Sequence, residues 1–256
     1  MAAELTPTDL AARLRRLTPA RVGLGRSGPA QTTDDVLAFA LAHARARDAV
    51  HVALDADALA AAVEALGHEV LRVASAAPDR RTYLLRPDLG RTLAQGAGLA
   101  ADRPSDLAIV LADGLSAQAV QAHAPPLLAA LAPRLAGLTL APVTIALQAR
   151  VALGDAVGQA LRARAVLVLI GERPGLTSPD SLGAYLTFDP RSGRTDAERN
   201  CVSNIRPEGL GCAAAAYRLA WLVRQALSRR LTGVGLKDES DLATLDQPTG
   251  SAVGRT

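Results

Sequence analysis

Aromatic residues are scarce in this chain, which has three tyrosines, two phenylalanines and one tryptophan among 256 residues. Proteins that bind single-stranded nucleic acids stack the bases on aromatic side chains, and this sequence has no set of residues for that purpose. The net charge is only +3, and the arginines are interspersed with acidic residues instead of forming a basic tract. We therefore expect no nucleic-acid partner.

Cysteine and histidine are also rare. Two cysteines, Cys201 and Cys212, cannot build a disulfide framework, and the first residues lack the pattern of a secretory signal, so we expect a reducing cytoplasm. The four histidines lie far apart and match no HExxH or CxxC spacing, so we expect no metal site. No apolar run approaches the roughly 20 residues of a membrane-spanning helix, so we expect no membrane segment.

One apolar run stands out in what the sequence does contain. Ala165–Ile170 is an unbroken stretch rich in Val, Leu and Ile, as is typical of a parallel strand buried on both faces. Pro174 and Gly175 end the run, so Glu172 and Arg173 follow the carboxyl end of this strand. Open α/β sheets bind their ligands at that edge, although a charged pair in a solvated loop is the alternative interpretation.

A strand-loop-helix unit repeats between residues 104 and 236, which we assign to one domain. Such repetition predicts an α/β fold, here a Rossmann-like, doubly wound, mainly parallel sheet. The strands predicted in this region are Asp106–Leu111, Thr139–Ala146 and Ala165–Ile170, with an extended piece at Ala184–Phe188, and the helices are Ala117–Leu131, Asp155–Arg162 and Cys212–Leu231.

The ends of these strands should meet at one edge of the sheet. Asp113 follows the first strand, Arg150 and Val151 follow the second, and Glu172 follows the third. Because the carboxyl ends of parallel strands lie together, the sequence predicts a ligand-binding edge that contains these side chains.

Residues 1–103 are predicted to form a smaller α+β region, and residues 237–256 a flexible tail. Pro104 lies in a polar break that is typical of a domain boundary. The elements predicted for the N-terminal region are helices at Thr8–Leu17, Asp34–Arg47 and Asp57–Leu66, strands at His68–Val73 and Thr82–Arg86, and a short helix that starts at Pro87.

The segment GLGRSG matches the dinucleotide-binding fingerprint at Gly23, Gly25 and Gly28. That fingerprint follows a buried strand, whereas here Pro19 and Arg21 interrupt the preceding residues. A turn that leads into the next helix is the better interpretation. A nucleotide-dependent oxidoreductase remains the alternative function of a different class.

No nucleophile elbow, P-loop or paired carboxylate site is visible, so the chain is typical of a binding protein more than of a complete enzyme. A glycine- and proline-containing excursion follows Phe188 and contains Cys201, flanked by Asn200 and Asn204. Long ordered loops are often functional. The alternatives are a buried structural cysteine, and a structural partner that binds no ligand.

Blocks spread over nearly the whole chain together resemble the small (light) subunit of ethanolamine ammonia-lyases. They occur in the order found in that family. The blocks are GRSGP at Gly25–Pro29, YLLRPDLGR at Tyr83–Arg91, ADGLSAQAV at Ala112–Val120, RVALGDAVGQAL at Arg150–Leu161, VLIGERPGL at Val168–Leu176 and RNCVSNIRPEG at Arg199–Gly209.

The resemblance implies an adenosylcobalamin-dependent lyase, a hetero-oligomer that converts ethanolamine to acetaldehyde and ammonia by a radical mechanism. It implies that a large subunit binds ethanolamine and carries the chemistry, while the small subunit helps to bind the corrinoid at the interface and is inactive alone. The family's cofactor-binding residues correspond to Val151, Glu172 and Cys201 in this sequence. The N-terminal region would contact the partner subunits. Some members of the family belong to bacterial microcompartments, which is the alternative to a free cytoplasmic location.

Overall fold

The computed structural model describes residues 7–18 and 20–241. Its strands are β1 (Arg26–Ser27), β2 (Ala30–Gln31), β3 (Val70–Ala74), β4 (Ser105–Ala112), β5 (Val143–Leu147), β6 (Ala163–Gly171), β7 (Leu182–Phe188) and β8 (Asn200–Ile205). Its α-helices are α1 (Pro7–Leu17), α2 (Thr33–His51), α3 (Ala56–Glu64), α4 (Arg80–Leu85), α5 (Pro87–Gly90), α6 (Ala117–Leu131), α7 (Leu153–Ala160) and α8 (Cys212–Arg229).

A mixed six-stranded sheet in the order β3-β5-β4-β6-β7-β8 forms the centre of the fold. The pairs β3–β5, β5–β4 and β4–β6 are parallel, and the pairs β6–β7 and β7–β8 are antiparallel. The predicted α/β class is therefore confirmed. Because β4, β5 and β6 run in the same direction, their carboxyl ends lie at the same edge.

Both faces of the sheet are buried. Successive side chains along each strand point to opposite faces, and each face packs in its own hydrophobic layer. Leu107 and Ile109 of β4 pack in the layer that includes α3, α6 and α8. Ala108 and Val110 point to the opposite layer, which includes α7. Gly154 lets α7 approach β6 closely, since a Cβ atom there would collide with the side chain of Val168. The covered strands are the rigid base for the loops at the sheet edge.

One predicted strand is a helix. The sequence pattern predicts a strand at Thr82–Arg86, but α4 covers most of this segment. Asp79 explains the difference, since its Oδ1 atom accepts a hydrogen bond from the backbone N–H of Thr82 at 2.8 Å and thereby caps the helix. The helix buries Tyr83 completely.

The excursion after Phe188 is also more regular than its composition indicates. Its second half forms β8, which pairs with β7 and places Cys201 opposite Tyr185. Cys201 is exposed, so the alternative of a buried structural cysteine is wrong. The sequence does not reveal this strand, because most of its side chains are short and polar and only Val202 and Ile205 are buried.

The GLGRSG segment does not form a strand followed by a phosphate-binding helix. It contains the first strand of the short hairpin β1–β2, in which Arg26 pairs with Gln31, and Gly28 occupies the turn with φ +63°. Helix α2 begins only after Thr32, whose hydroxyl accepts from the backbone N–H of Asp35. The dinucleotide-binding interpretation is therefore wrong.

The predicted division of the chain into regions stays a prediction. β3 belongs to the N-terminal region and pairs with β5 in the common sheet. Most of the predicted tail, residues 242–256, lies outside the described residues. Ser240 is buried, and its carbonyl oxygen accepts a hydrogen bond from the hydroxyl of Tyr217. None of the described helices is both long and apolar enough to cross a membrane.

Candidate functional site

The carboxyl ends of β4, β5 and β6 meet at a cleft of about 410 Å³, which we name the Glu172 cleft. Gly114, Val151 and Glu172 line it, one from the end of each strand. The convergence that the strand pattern predicts is therefore present. Tyr83 and Tyr185 line the same cleft, although the sequence pattern does not point to either of them.

Two glycines allow the backbones to approach at this edge. Gly114 has φ +56°, and a Cβ atom there would lie against the carbonyl oxygen of Gly171. A Cβ atom on Gly171 would in turn collide with the carbonyl oxygen of Ser116. The backbone N–H of Leu115 donates to the Gly171 carbonyl at 2.9 Å. Side chains at the two glycine positions would force these loops apart.

Buried Asp113 holds the turn that presents Val151. Its carboxylate accepts hydrogen bonds from the backbone N–H groups of Gln148 and Ala149, each at 2.9 Å, and Nη1 of Arg80 lies 3.7 Å away. Burial raises the pKa of Asp113, while these two N–H groups and the Arg80 charge act in the opposite direction. Gln148 has φ +52°, an uncommon value that the two hydrogen bonds hold in place.

Tyr83 connects the same turn to the N-terminal region. Its hydroxyl donates to the carbonyl of Ala149 at 3.2 Å, and burial raises the pKa of Tyr83 to about 12, so the hydroxyl remains a donor at neutral pH. The guanidinium carbons of Arg80 and Arg150 lie over the ring, 4.8 and 4.3 Å from its centroid. Such cation–π contacts fix the position of Arg150 beside the cleft.

Glu172 has one carboxylate oxygen engaged by the protein and one available. Its Oε2 atom accepts hydrogen bonds from the hydroxyl of Ser181 and from the backbone N–H of Asn204, the latter at 3.3 Å. Its Oε1 atom receives no hydrogen bond from residues 7–18 or 20–241. Gly183 lies beneath the side chain, and a Cβ atom there would be only 2.7 Å from Oε1. The carboxylate is thus oriented with a free acceptor.

Cys201 lies beside the Glu172 cleft without lining it. It lies opposite Tyr185 in the pairing of β7 and β8, and Tyr185 does line the cleft. Although the Cys201 side chain reaches solvent, partial desolvation by its neighbours and the nearby Glu172 charge raise its pKa, and burial and Cys201 raise the pKa of Tyr185. Both groups are therefore neutral at physiological pH. The structure brings Val151 and Glu172 together and places Cys201 on β8, which β7 separates from the strand before Glu172.

A buried ion pair joins the helix that follows Val151 to the residue that precedes β8, the strand of Cys201. Asp155 of α7 and Arg199, which immediately precedes β8, have side chains that are 1% and 2% exposed. Two hydrogen bonds of 2.7 Å connect the guanidinium to both carboxylate oxygens. This bidentate geometry is the strongest form of such a pair. Sequence reasoning did not identify this pair, because 44 residues separate its members.

A second cleft of about 820 Å³ adjoins the first, and we name it the Arg91 cleft. Arg150 and Val151 line both clefts, so the two form neighbouring parts of one depression. The second cleft is also lined by Arg91 and residues 92 and 93, by Ala152 and Ala156, and by residues 192–196. No group of histidine, cysteine or acidic side chains in the described part of the chain could hold a metal ion.

Comparisons with known proteins agree with the resemblance. Residues 8–237 match the family described as Ethanolamine ammonia-lyase light chain (EutC). A relative from Xanthomonas campestris named ethanolamine ammonia-lyase small subunit is 53% identical over 254 residues, which cover 96% of this chain and 93% of the relative. Two further relatives have the same name. The one from Bradyrhizobium diazoefficiens is 58% identical over 234 residues, which cover 89% of this chain and 90% of the relative. The one from Azotobacter vinelandii is 54% identical over 257 residues, which cover 94% of this chain and 93% of the relative. The chain belongs to the family of ethanolamine ammonia-lyase small subunits and is thus a subunit of a lyase.

Proposed function

We propose that this chain binds adenosylcobalamin at the interface with the large subunit, in a complex that converts ethanolamine to acetaldehyde and ammonia. The observation that carries the proposal is the oriented carboxylate of Glu172, whose Oε1 atom is free at the edge where parallel strands end. A corrinoid carries amide side chains around its ring, and their N–H groups suit such an acceptor. When bound, adenosylcobalamin supplies the radical chemistry.

The residues at the two clefts fit the periphery of a corrinoid. Val151 lies where the clefts adjoin and offers an apolar contact, and Glu172 offers a charged acceptor. Cys201 is a neutral thiol that contacts the edge of the ligand by packing or by a weak hydrogen bond. In the described residues, no histidine lines either cleft, so we assign none of them to the cobalt.

The role of this chain is to bind and orient the cofactor. The loops around the cleft are held rigid by two glycine contacts, by the Asp113 hydrogen bonds and by the stack of Arg150 on Tyr83. Rigid loops lose less conformational entropy when a ligand binds. We assign ethanolamine binding and the reaction to the large subunit, which the name of the relatives as small subunits implies. No residue of this chain is assigned a catalytic role.

The same proposal includes a finer description of the fold. The parallel strands have helices in both adjoining layers, as in a Rossmann-like doubly wound sheet, with β7 and β8 added at one edge. We infer that residues 1–103 contact the partner subunits. We expect the complex to be in the cytoplasm, with a bacterial microcompartment as the alternative.

The test measures ethanolamine deamination and cofactor retention in the complex of this chain with a large subunit. Activity should require both subunits and adenosylcobalamin. Glu172→Gln removes the charge of the free acceptor. It should weaken cofactor binding about tenfold, because a hydrogen bond to a charged group contributes a binding free energy of about that size. Glu64→Gln makes the same chemical change at an exposed position of α3 and is the matched control.

Two outcomes would contradict the proposal. Activity of this chain alone would overturn the division of roles between the subunits. Unchanged cofactor retention by the complexes of both Glu172→Gln and Cys201→Ala would favour the alternative of a structural partner that binds no ligand.

A further inference from the structure

The Arg91 cleft contains positive charge that the described protein does not neutralise. Arg91 lines the cleft, and its guanidinium has no hydrogen-bond or ion-pair partner within residues 7–18 and 20–241. Arg150 lines the same cleft, and its Nε atom is buried without a hydrogen-bond partner among those residues. The third arginine, Arg194, is paired with Asp189 and Glu198. Two cations of the cleft are therefore uncompensated.

A backbone hydrogen bond places the two arginine residues near each other. The N–H group of Arg150 donates to the carbonyl oxygen of Gly90 at 2.8 Å, which places Arg91 next to the turn after β5. The stack of Arg150 on Tyr83 prevents this guanidinium from moving away. Like charges held in one cleft repel each other unless an anion lies between them. The arrangement thus favours an anionic ligand from outside the described chain.

The remaining lining of the cleft suits a phosphate group. Arginine binds phosphate through paired N–H donors. Ser192 adds a hydroxyl to the lining of the cleft, in a turn where Gly193 has φ +95°. The carboxylate of Asp196 also lines the cleft, but it lies 3.5 Å from Nε of Arg199 and is mostly exposed. The net charge of the lining remains positive.

We propose that Arg91, Arg150 and Ser192 bind the phosphodiester in the nucleotide arm of the corrinoid. This inference rests on the proposed function and deepens it. The amide groups of a corrinoid suit the Glu172 cleft, whereas its phosphodiester is an anion and suits the Arg91 cleft. Because Val151 lies at the boundary of both clefts, one bound molecule reaches both sets of residues.

The experiment compares adenosylcobalamin with adenosylcobinamide, which has the corrin ring and its amides but lacks the nucleotide arm. Binding to the assembled complex is measured by equilibrium dialysis, so that the readout does not depend on activity. Arg91→Gln should weaken adenosylcobalamin binding about tenfold and leave adenosylcobinamide binding within twofold of the wild type. Arg81→Gln removes the same charge at an exposed position away from both clefts and should change neither affinity.

Ser192→Ala should lower only the adenosylcobalamin affinity, by a smaller factor, because a neutral donor contributes less than a charged one. Equal effects of Arg91→Gln on the two corrinoids, or no effect on either, would overturn the inference while the proposed function stands. Weaker association of the subunits in the absence of cofactor would also overturn it, since the arginines would then contact acidic residues of the partner. Failure of the wild-type complex to bind adenosylcobalamin would instead contradict the proposed function itself.

Discussion

Replacing Arg199 by methionine should destabilise the protein strongly, although we propose no ligand contact for this side chain. Arg199 binds both carboxylate oxygens of Asp155, and it also donates to the hydroxyl of Thr187 at 2.8 Å and to the carbonyl of Arg194 at 3.0 Å. Methionine has a similar length and no charge. The substitution therefore leaves the Asp155 carboxylate buried, without either of these hydrogen bonds.

The magnitude follows from burial. Removing one member of a buried ion pair costs about 3–5 kcal/mol, because the other charge remains desolvated and unpaired. Replacing both members by apolar residues of similar volume is often close to neutral. We therefore expect Arg199→Met to lower the free energy of unfolding by about 3–5 kcal/mol. The double variant with Asp155→Leu should recover much of that loss.

Urea unfolding of the purified chain measures both effects, and the fluorescence of Trp221, the only tryptophan, reports the transition. The control is Arg218→Met, which removes an exposed ion pair of 3.0 Å with Asp241 and should cost at most about 1 kcal/mol. The reasoning is wrong if Arg199→Met costs no more than the control. It is also wrong if the losses of unfolding free energy in Arg199→Met and in Asp155→Leu simply add up in the double variant, because substitutions of two residues in contact are not additive.

Three further predictions concern the cleft. Gly171→Ala should destabilise the chain by roughly 3 kcal/mol or more in the same unfolding assay, because backbone carbonyl groups occupy the space of the new methyl group. Ser181→Ala should weaken cofactor retention by the complex several-fold, because it removes one of the two hydrogen bonds that orient the Glu172 carboxylate. It should change the unfolding midpoint of the chain less than Gly171→Ala does, and the reverse order would contradict this role. In a Cys212→Ser background, Cys201 should react with iodoacetamide more slowly at pH 8 than a free cysteine does, although it is exposed, because its raised pKa reduces the fraction of thiolate. The reaction rate should still rise above pH 9. A fast reaction at pH 7 would refute the shift of the pKa.

The centre of the fold is predictable from local sequence because hydrophobic patterning and chain breakers coincide there. The run Ala165–Ile170 and the breakers Pro174 and Gly175 identify β6 and its end. The strand nevertheless starts at Ala163, because the charge of Arg164 is accommodated by an ion pair of 2.9 Å with Asp106 of the neighbouring strand. Such a partner is visible only when the strands are paired.

The edges of the fold are less predictable, because their conformation depends on contacts that are distant in sequence. Tyr83 lies in a segment of β-forming residues, and a single capping carboxylate makes that segment helical. Gln148 adopts φ +52° because the buried carboxylate of Asp113, 35 residues earlier, binds its backbone N–H. Neither conformation follows from local preference, so sequence reasoning finds the strand ends but not the exact shape of the turns.

The same distinction explains how the proposed site is built. Val151 and Glu172 follow buried parallel strands, and the sheet topology alone brings them to one edge. Cys201 reaches that edge differently, because β8 must first pair with β7, and the ion pair of Asp155 and Arg199 then ties β8 to the helix after Val151. Loss of that ion pair should therefore displace β8, and with it both Cys201 and the backbone N–H of Asn204 that donates to Glu172, whereas the hydroxyl of Ser181 still holds the Glu172 carboxylate.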